Sequence, residues 1–272
     1  MSAMGSFAHG LVSSMDERWS EVDLLIETAE RFEAAERDGH NVKLQNALKR
    51  SAVVLIISHF EGSMREIVKA AIADLNRFSR FRDMPSSIKW NYCNSFFEAD
   101  TDSKLKTKRI ERLMAVFDNA NTAVEAESFW LERNRSTSPE QISRLCRSFG
   151  IRDFFGLIND SELDVVFQND RAGTDELLDK IHSHMTAGVY EFPYHLSLDL
   201  LGIHKNPNTA GNRRGRTLWE EFLDQVLKER HSIAHGTSLF TEMSAEDIRD
   251  QKTKLQILQK VIAMLILHTC GN

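Results

Sequence analysis

The sequence predicts an all-α fold, and three observations carry that prediction. Only four prolines occur in 272 residues, and Leu, Ala, Glu, Lys and Arg are plentiful. Long stretches contain no helix breaker, and apolar residues recur three and four apart in several of them. A chain of this length buries a core without disulfides or metals, so one body over residues 1–272 is expected. Its core would be four to five long helices over about 15–79 and 216–269, with a helical and irregular insertion over about 80–215.

Residues Met15 to Arg37 place Trp19, Val22, Leu25, Ile26, Ala29 and Phe32 at helical spacing, and "DGHN" ends the run. The next segment, Asn41 to Phe78, steps through Val53, Ile57, Phe60, Met64, Ile67, Ala71 and Leu75. Its middle, "AVVLIIS", is apolar all round, the pattern of a helix in the centre of a bundle. Gly62 interrupts it, at a cost of about 1 kcal/mol against alanine, so another helix is expected to come close there. Shorter helices follow at "SSIKWNYCNSFFEA", "KTKRIERLMAVFDNA", "SPEQISRLCRSFG" and "TDELLDKIHSHMTAG". Ser138 and Thr174 are the expected caps of the last two. "GIRDFFGLIND" and "KNPNTAGNRRG" read as loops. The pattern then strengthens. Leu218, Trp219, Phe222, Val226 and Ile233 line one helical face, with Gly236 where a left-handed terminus wants glycine. Ser244 and Asp247 open a final helix carrying Ile248, Leu255, Leu258, Ile262 and Leu265. Trp219 and Phe222 are expected in the core.

Three scattered cysteines, Cys93, Cys146 and Cys270, make neither a disulfide framework nor a zinc ribbon and fit a reducing compartment. The first residues lack a basic start followed by an apolar run, and "VIAMLILH" is too short to cross a bilayer. A cytoplasmic protein with no membrane contact is therefore expected. A formal charge of −6 argues against diffuse nucleic-acid binding but leaves room for a local basic cleft. Two tracts would supply one: "KLKTKRIER", and "HKNPNTAGNRRGR" with Lys205, Arg213, Arg214 and Arg216. Such tracts are more often a solvated face or flexible loop than a binding patch.

The densest group of functional side chains is "KERHSIAHGTS", Lys228 to Ser238. His231 and His235 stand four apart, as zinc-binding histidines on a helix do. The position that holds the general base in the H-E-x-x-H pattern is here Ser232, and a third ligand would have to come from His182, His184 or His204. No metal and no cofactor is expected. Arg230 and His235 could instead form a phosphodiester-cleaving couple, the imidazole moving a proton and the guanidinium holding charge on phosphorus. Five residues of ideal helix separate the two side chains by roughly 140°, and a helix that ends at Gly236 relaxes this. A third reading is cationic capping of a helix end.

The stretch "RHSIAHG" resembles the Arg-x4-His signature of the HEPN superfamily, helical bundles whose usual form has Asn after the arginine. This chain keeps Arg230, Ile233, Ala234, His235 and Gly236 and carries His231 at the Asn position. "RSAVVLIISHFEGSMREIV" is similar to the second-helix pattern of the bacterial MAE-type branch, and "SPEQISRLCRSFGI" more loosely to its middle region. The resemblance implies a metal-independent endoribonuclease acting as a homodimer, with RNA (transfer RNA included) as substrate. It also implies a toxin or anti-phage effector with an antitoxin or defence-system partner, or else a non-catalytic dimerisation or docking module. Carried over, Arg230 would stabilise the phosphorane-like state, His235 would be acid or base, and His231 a polar helper. Glu61 would orient Arg230 by a charged hydrogen bond, or pair on the surface with Arg65.

Overall fold

The computed structural model describes residues 5–34, 39–97, 103–129, 137–159, 161–168, 170–208, 215–236 and 241–271. Among them are ten α-helices, four short 3-10 helices and no strand. The helices are α1 (Phe7–Ser14), α2 (Glu17–Ala34), α3 (Gly39–Phe78), α4 (Ser86–Asn94) and α5 (Ser103–Ala120). They continue with α6 (Pro139–Ser148), α7 (Phe154–Asn159), α8 (Arg171–Gly188), α9 (Leu218–Ala234) and α10 (Ala245–Gly271).

Cross-helix polar pairs fix the directions of the core helices. Trp19 Nε1 donates to Gln259 Oε1 at 2.9 Å, Lys252 meets Asp23 at 2.5 Å and Arg249 meets Glu30 at 2.6 Å, so α2 and α10 run antiparallel. Arg18 with Glu66 and Glu21 with His59 make α2 antiparallel to α3 as well. Gln251 donates to Glu229 at 2.7 Å, while Lys254 Nζ lies 5.9 Å from the Phe222 ring, so α9 runs against α10. Helix α3 packs on α1, α2, α9 and α10, and α8 covers α10 and α1. Buried side chains from Ala8 to Cys270 form one connected core.

The stripe expected on α3 is buried, from Val53 to Leu75. Its middle is only partly enclosed, however, because Val54 and Leu55 are half-exposed. The helix enclosed on all sides is α10, in which every residue from Lys254 to Leu267 is buried. Three of its polar members, Lys254, Gln259 and Lys260, meet a partner. Lys260, 1% exposed, reaches Asp16 at 2.9 Å, and Lys254 reaches Asp250 at 2.6 Å. A close approach at Gly62 does occur: a Cβ there would lie 3.2 Å from Arg18 Nη1 of α2.

Some local expectations are corrected. Residues 7–14 form α1, capped by Ser6, whose hydroxyl accepts from His9 N at 2.9 Å, and α2 starts at Glu17 instead of Met15. Helix α8 is capped by Asp170, which accepts from Gly173 N at 3.0 Å, while Thr174 donates back to Asp170 O at 2.7 Å. "GIRDFFGLIND" contains α7, because Phe154, Phe155, Leu157 and Ile158 all find cover in the core. The caps at Ser138 and at Ser244 with Asp247 are as expected.

Candidate functional site

The site is built at the end of α9. Thr217 opens the helix with a reciprocal cap: its hydroxyl accepts from Glu220 N at 3.2 Å, and Glu220 Oε2 accepts from Thr217 N at 2.8 Å. Trp219, Leu223 and Val226 then bury one face, with Trp219 set against Phe167 at 4.9 Å. That anchoring leaves the last turn projecting at the end of the bundle where α10 begins. There Thr241 N donates to Asn46 Oδ1 at 2.9 Å, tying the chain after the helix to the start of α3.

His235 caps the helix with φ −88° and ψ 3°, donating its N–H to His231 O at 3.0 Å. Gly236 follows at φ 67°, the left-handed conformation expected of a glycine terminus. The turn lays the two imidazoles together, with ring centroids 4.1 Å apart and planes at 51°. Both histidines are exposed, whereas Arg230 is half-buried. Its Nε is shut off from solvent without a hydrogen-bond partner. No carboxylate pairs with Arg230 among the described residues, which leaves a cation without local compensation beside two accessible imidazoles.

Glu61 is half-buried on α3 and accepts from Thr137 N at 3.3 Å. No hydrogen bond joins it to Arg230 among the described residues. Glu229, adjacent to Arg230, is instead fixed from two sides, by Gln251 at 2.7 Å and Gln225 at 3.2 Å. Together with Asn46 these residues hold the site in place, and sequence reasoning missed them. Only the Gln225 spacing was visible in the chain, since Gln251 and Asn46 are distant in sequence.

The other histidines lie elsewhere. His182 contacts Asp16 at 2.9 Å and Lys260 at 3.1 Å, His184 accepts from Ser197 N at 3.1 Å, and His204 meets Asp199 at 3.2 Å. Among the described residues, no three His, Cys, Asp or Glu side chains gather as metal ligands. The thiols are buried, and burial raises each above its ordinary value, Cys93 to about 11, which keeps them in the unreactive protonated form. Of the basic candidates, Arg216 pairs with Asp224 on α9. Lys205 is exposed and lines a groove far from α9's end, and Arg213 and Arg214 lie outside the described residues.

An all-α bundle that presents Arg-x4-His at the end of its penultimate long helix is a HEPN-type domain. The chain belongs to the RiboL-PSP-HEPN family, whose model matches residues 15–268. The match does not single out the MAE branch. No curated protein and no solved structure matches the chain. No helix among the described residues is long and apolar enough to cross a membrane.

Proposed function

We propose that this protein is a metal-independent endoribonuclease of HEPN type that cuts RNA in a homodimer cleft. In this reading a histidine of the motif, His235 first, takes the proton from a ribose 2′-hydroxyl. The oxygen attacks phosphorus, the bond to the 5′-oxygen breaks, and an imidazolium returns a proton to that leaving oxygen. The products are a 2′,3′-cyclic phosphate and a 5′-hydroxyl. Arg230 holds the added negative charge on phosphorus. The observation that supports this most directly is the accessible His231 and His235 pair beside an Arg230 that no carboxylate pairs with among the described residues. The second histidine, at the family's usual Asn position, gives one site both an acid and a base. A cytoplasmic toxin or anti-phage effector, held by an antitoxin or a defence-system partner and acting on transfer RNA among other RNAs, fits such chemistry.

The test is incubation of purified protein with total RNA in EDTA, followed by end-group analysis. Discrete cuts with cyclic phosphate ends are expected, and Arg230→Ala and His235→Ala should each remove them. Cuts that persist undiminished in both variants overturn the assignment. Glu61 bonded to Thr137 N, not to Arg230, favours one other reading, a non-catalytic module that dimerises or docks on a partner. That reading expects a stable dimer by light scattering and intact RNA.

A further inference from the structure

One lysine from each basic tract of the sequence, Lys106 and Lys205, lines a groove away from the Arg230 motif. Two hollows of about 1420 and 430 Å³ adjoin through a shared wall of Asn91 and Arg147. The larger exceeds the roughly 300–1,000 Å³ usual for a small-molecule pocket, which points to a polymer. Lys106 of the first tract lines the smaller hollow with Arg144, and Lys205 of the second lines the larger with Arg152. Arg144, Arg147 and Arg152 have no carboxylate partner among the described residues. Arg147 Nε donates to Ser143 O of its own helix at 3.2 Å. The two acidic residues described on the lining are both engaged, Asp83 with Arg80 at 3.0 Å and Asp199 with His204 at 3.2 Å.

Aromatic side chains line the same two hollows. Trp90 and Phe192 line the larger hollow and Phe97 the smaller, all three half-buried. Phe192 stacks on Phe78 at 5.5 Å and 8°, and Phe78 is 44% exposed, so the aromatic surface continues over the rim. The wall is fixed in place. Arg152 N donates to Pro207 O at 3.0 Å, and a Cβ on Gly150, at φ 92°, would meet Asn208 Oδ1 at 2.8 Å.

We infer that this groove binds single-stranded RNA, its guanidiniums on phosphates and its half-buried aromatic side chains against unpaired bases. The groove reaches α10 at His268, whereas Arg230 lies level with Gln251, so the two are about 25 Å apart along the helix axis. It is therefore a holding surface and not the place of cleavage. As an account of substrate capture it rests on the ribonuclease reading; as a binding surface it stands alone.

The test uses the full chain and a fluorescein-labelled unstructured pyrimidine RNA, read by anisotropy in the Arg230→Ala background so that the probe stays whole. Arg147→Glu with Arg152→Glu should weaken binding roughly tenfold or more and lower the salt slope by about one per lost phosphate contact. Trp90→Ala should weaken binding by roughly tenfold with the salt slope unchanged, the mark of lost stacking. Circular dichroism confirms that the variants fold. Unchanged affinity in both variants overturns the inference, as does equal competition by duplex DNA or heparin, which makes the groove a bare anion surface. Wild-type protein that binds the probe through the groove but never cuts RNA overturns the ribonuclease reading alone. Protein that cuts RNA while groove variants bind normally overturns the groove alone.

Discussion

The two ends of α3 handle charge in opposite ways. Near its C-terminal end Asp74 is fully buried, and its carboxylate accepts from Phe7 N and Ala8 N at 2.8 Å each and from the Tyr194 hydroxyl at 2.7 Å. It thereby sits at the positive end of the α1 dipole and closes the first turn against the body. Burial, and then the hydrogen bond to Asp74, push the Tyr194 hydroxyl far above its ordinary value, so it remains a donor. Near the N-terminal end of α3, Arg230 and two histidines stand at the negative end of the α9 dipole, the histidines exposed and the half-buried arginine paired with no carboxylate among the described residues. Asp74 has its partners within the chain, and none of its bonding capacity is offered to a ligand. The α9 terminus keeps its capacity for something outside.

Substitution at each end should therefore separate stability from activity. Arg230→Ala is expected to lower RNA cleavage by about 10²–10³ while leaving unfolding free energy within about 0.5 kcal/mol, because Arg230 has no ion pair to lose among the described residues. Asp74→Ala should do the reverse. Two backbone donors and a hydroxyl lose their acceptor in a buried place, at a cost of about 3 kcal/mol or more, with cleavage per folded molecule unchanged. Urea unfolding alongside the end-group assay reads both quantities. If Arg230→Ala destabilises as much as Asp74→Ala, the contrast is wrong and the motif is a structural cap. Tyr194→Phe, which removes a single donor, should cost about 1–2 kcal/mol.

Sequence reading reached the motif more fully than its surroundings. Arg230, His235 and the helix-ending role of Gly236 are legible because they lie within seven residues and follow local rules for helix ends. The enclosure of α10 was not legible. Lys252, Lys254, Gln256, Gln259 and Lys260 look like a solvated face, and most of what lets them be buried comes from Asp16, Trp19 and Asp23 on α2 and the turn before it. Helix α7 has six residues, too few to show a period, so its phenylalanines next to Gly156 read as a loop. Thr174 looked like a cap by residue type alone, and Asp170, four positions earlier, takes that role. The groove escaped for the same reason as the enclosure of α10. Lys106 and Lys205 are each visible as part of a basic tract, and nothing local to either tract brings them to one surface.

A smaller effect tests whether the motif depends on the far end of its own helix. Thr217→Ala breaks the reciprocal cap with Glu220 and should cost about 1–2 kcal/mol, since both residues are buried. The motif is held separately by Gln251 on Glu229 and by Asn46 on the chain after the helix, so cleavage per folded molecule should not change. A matching loss of activity would mean that α9 frays as one unit and that the site has no support of its own.

The smallest effect lies between the two ends, at His59 on α3. Burial holds its imidazole below the ordinary 6.5, and the nearby Arg18 guanidinium acts in the same sense, while Glu21 at 3.4 Å opposes both. The unfolded chain therefore binds the proton more readily than the folded one. Its contribution to stability is present above pH 6.5 and is lost as pH falls from there through the lower folded value. His59→Gln should flatten this part of the urea-midpoint profile between about pH 5 and 8. Glu21→Gln removes the one group that favours the charged form and should steepen it. Identical slopes in wild type and His59→Gln would assign the acid sensitivity to other groups. A profile that flattens without any change in the cleavage profile places His59 with Asp74, among the residues that serve the fold alone.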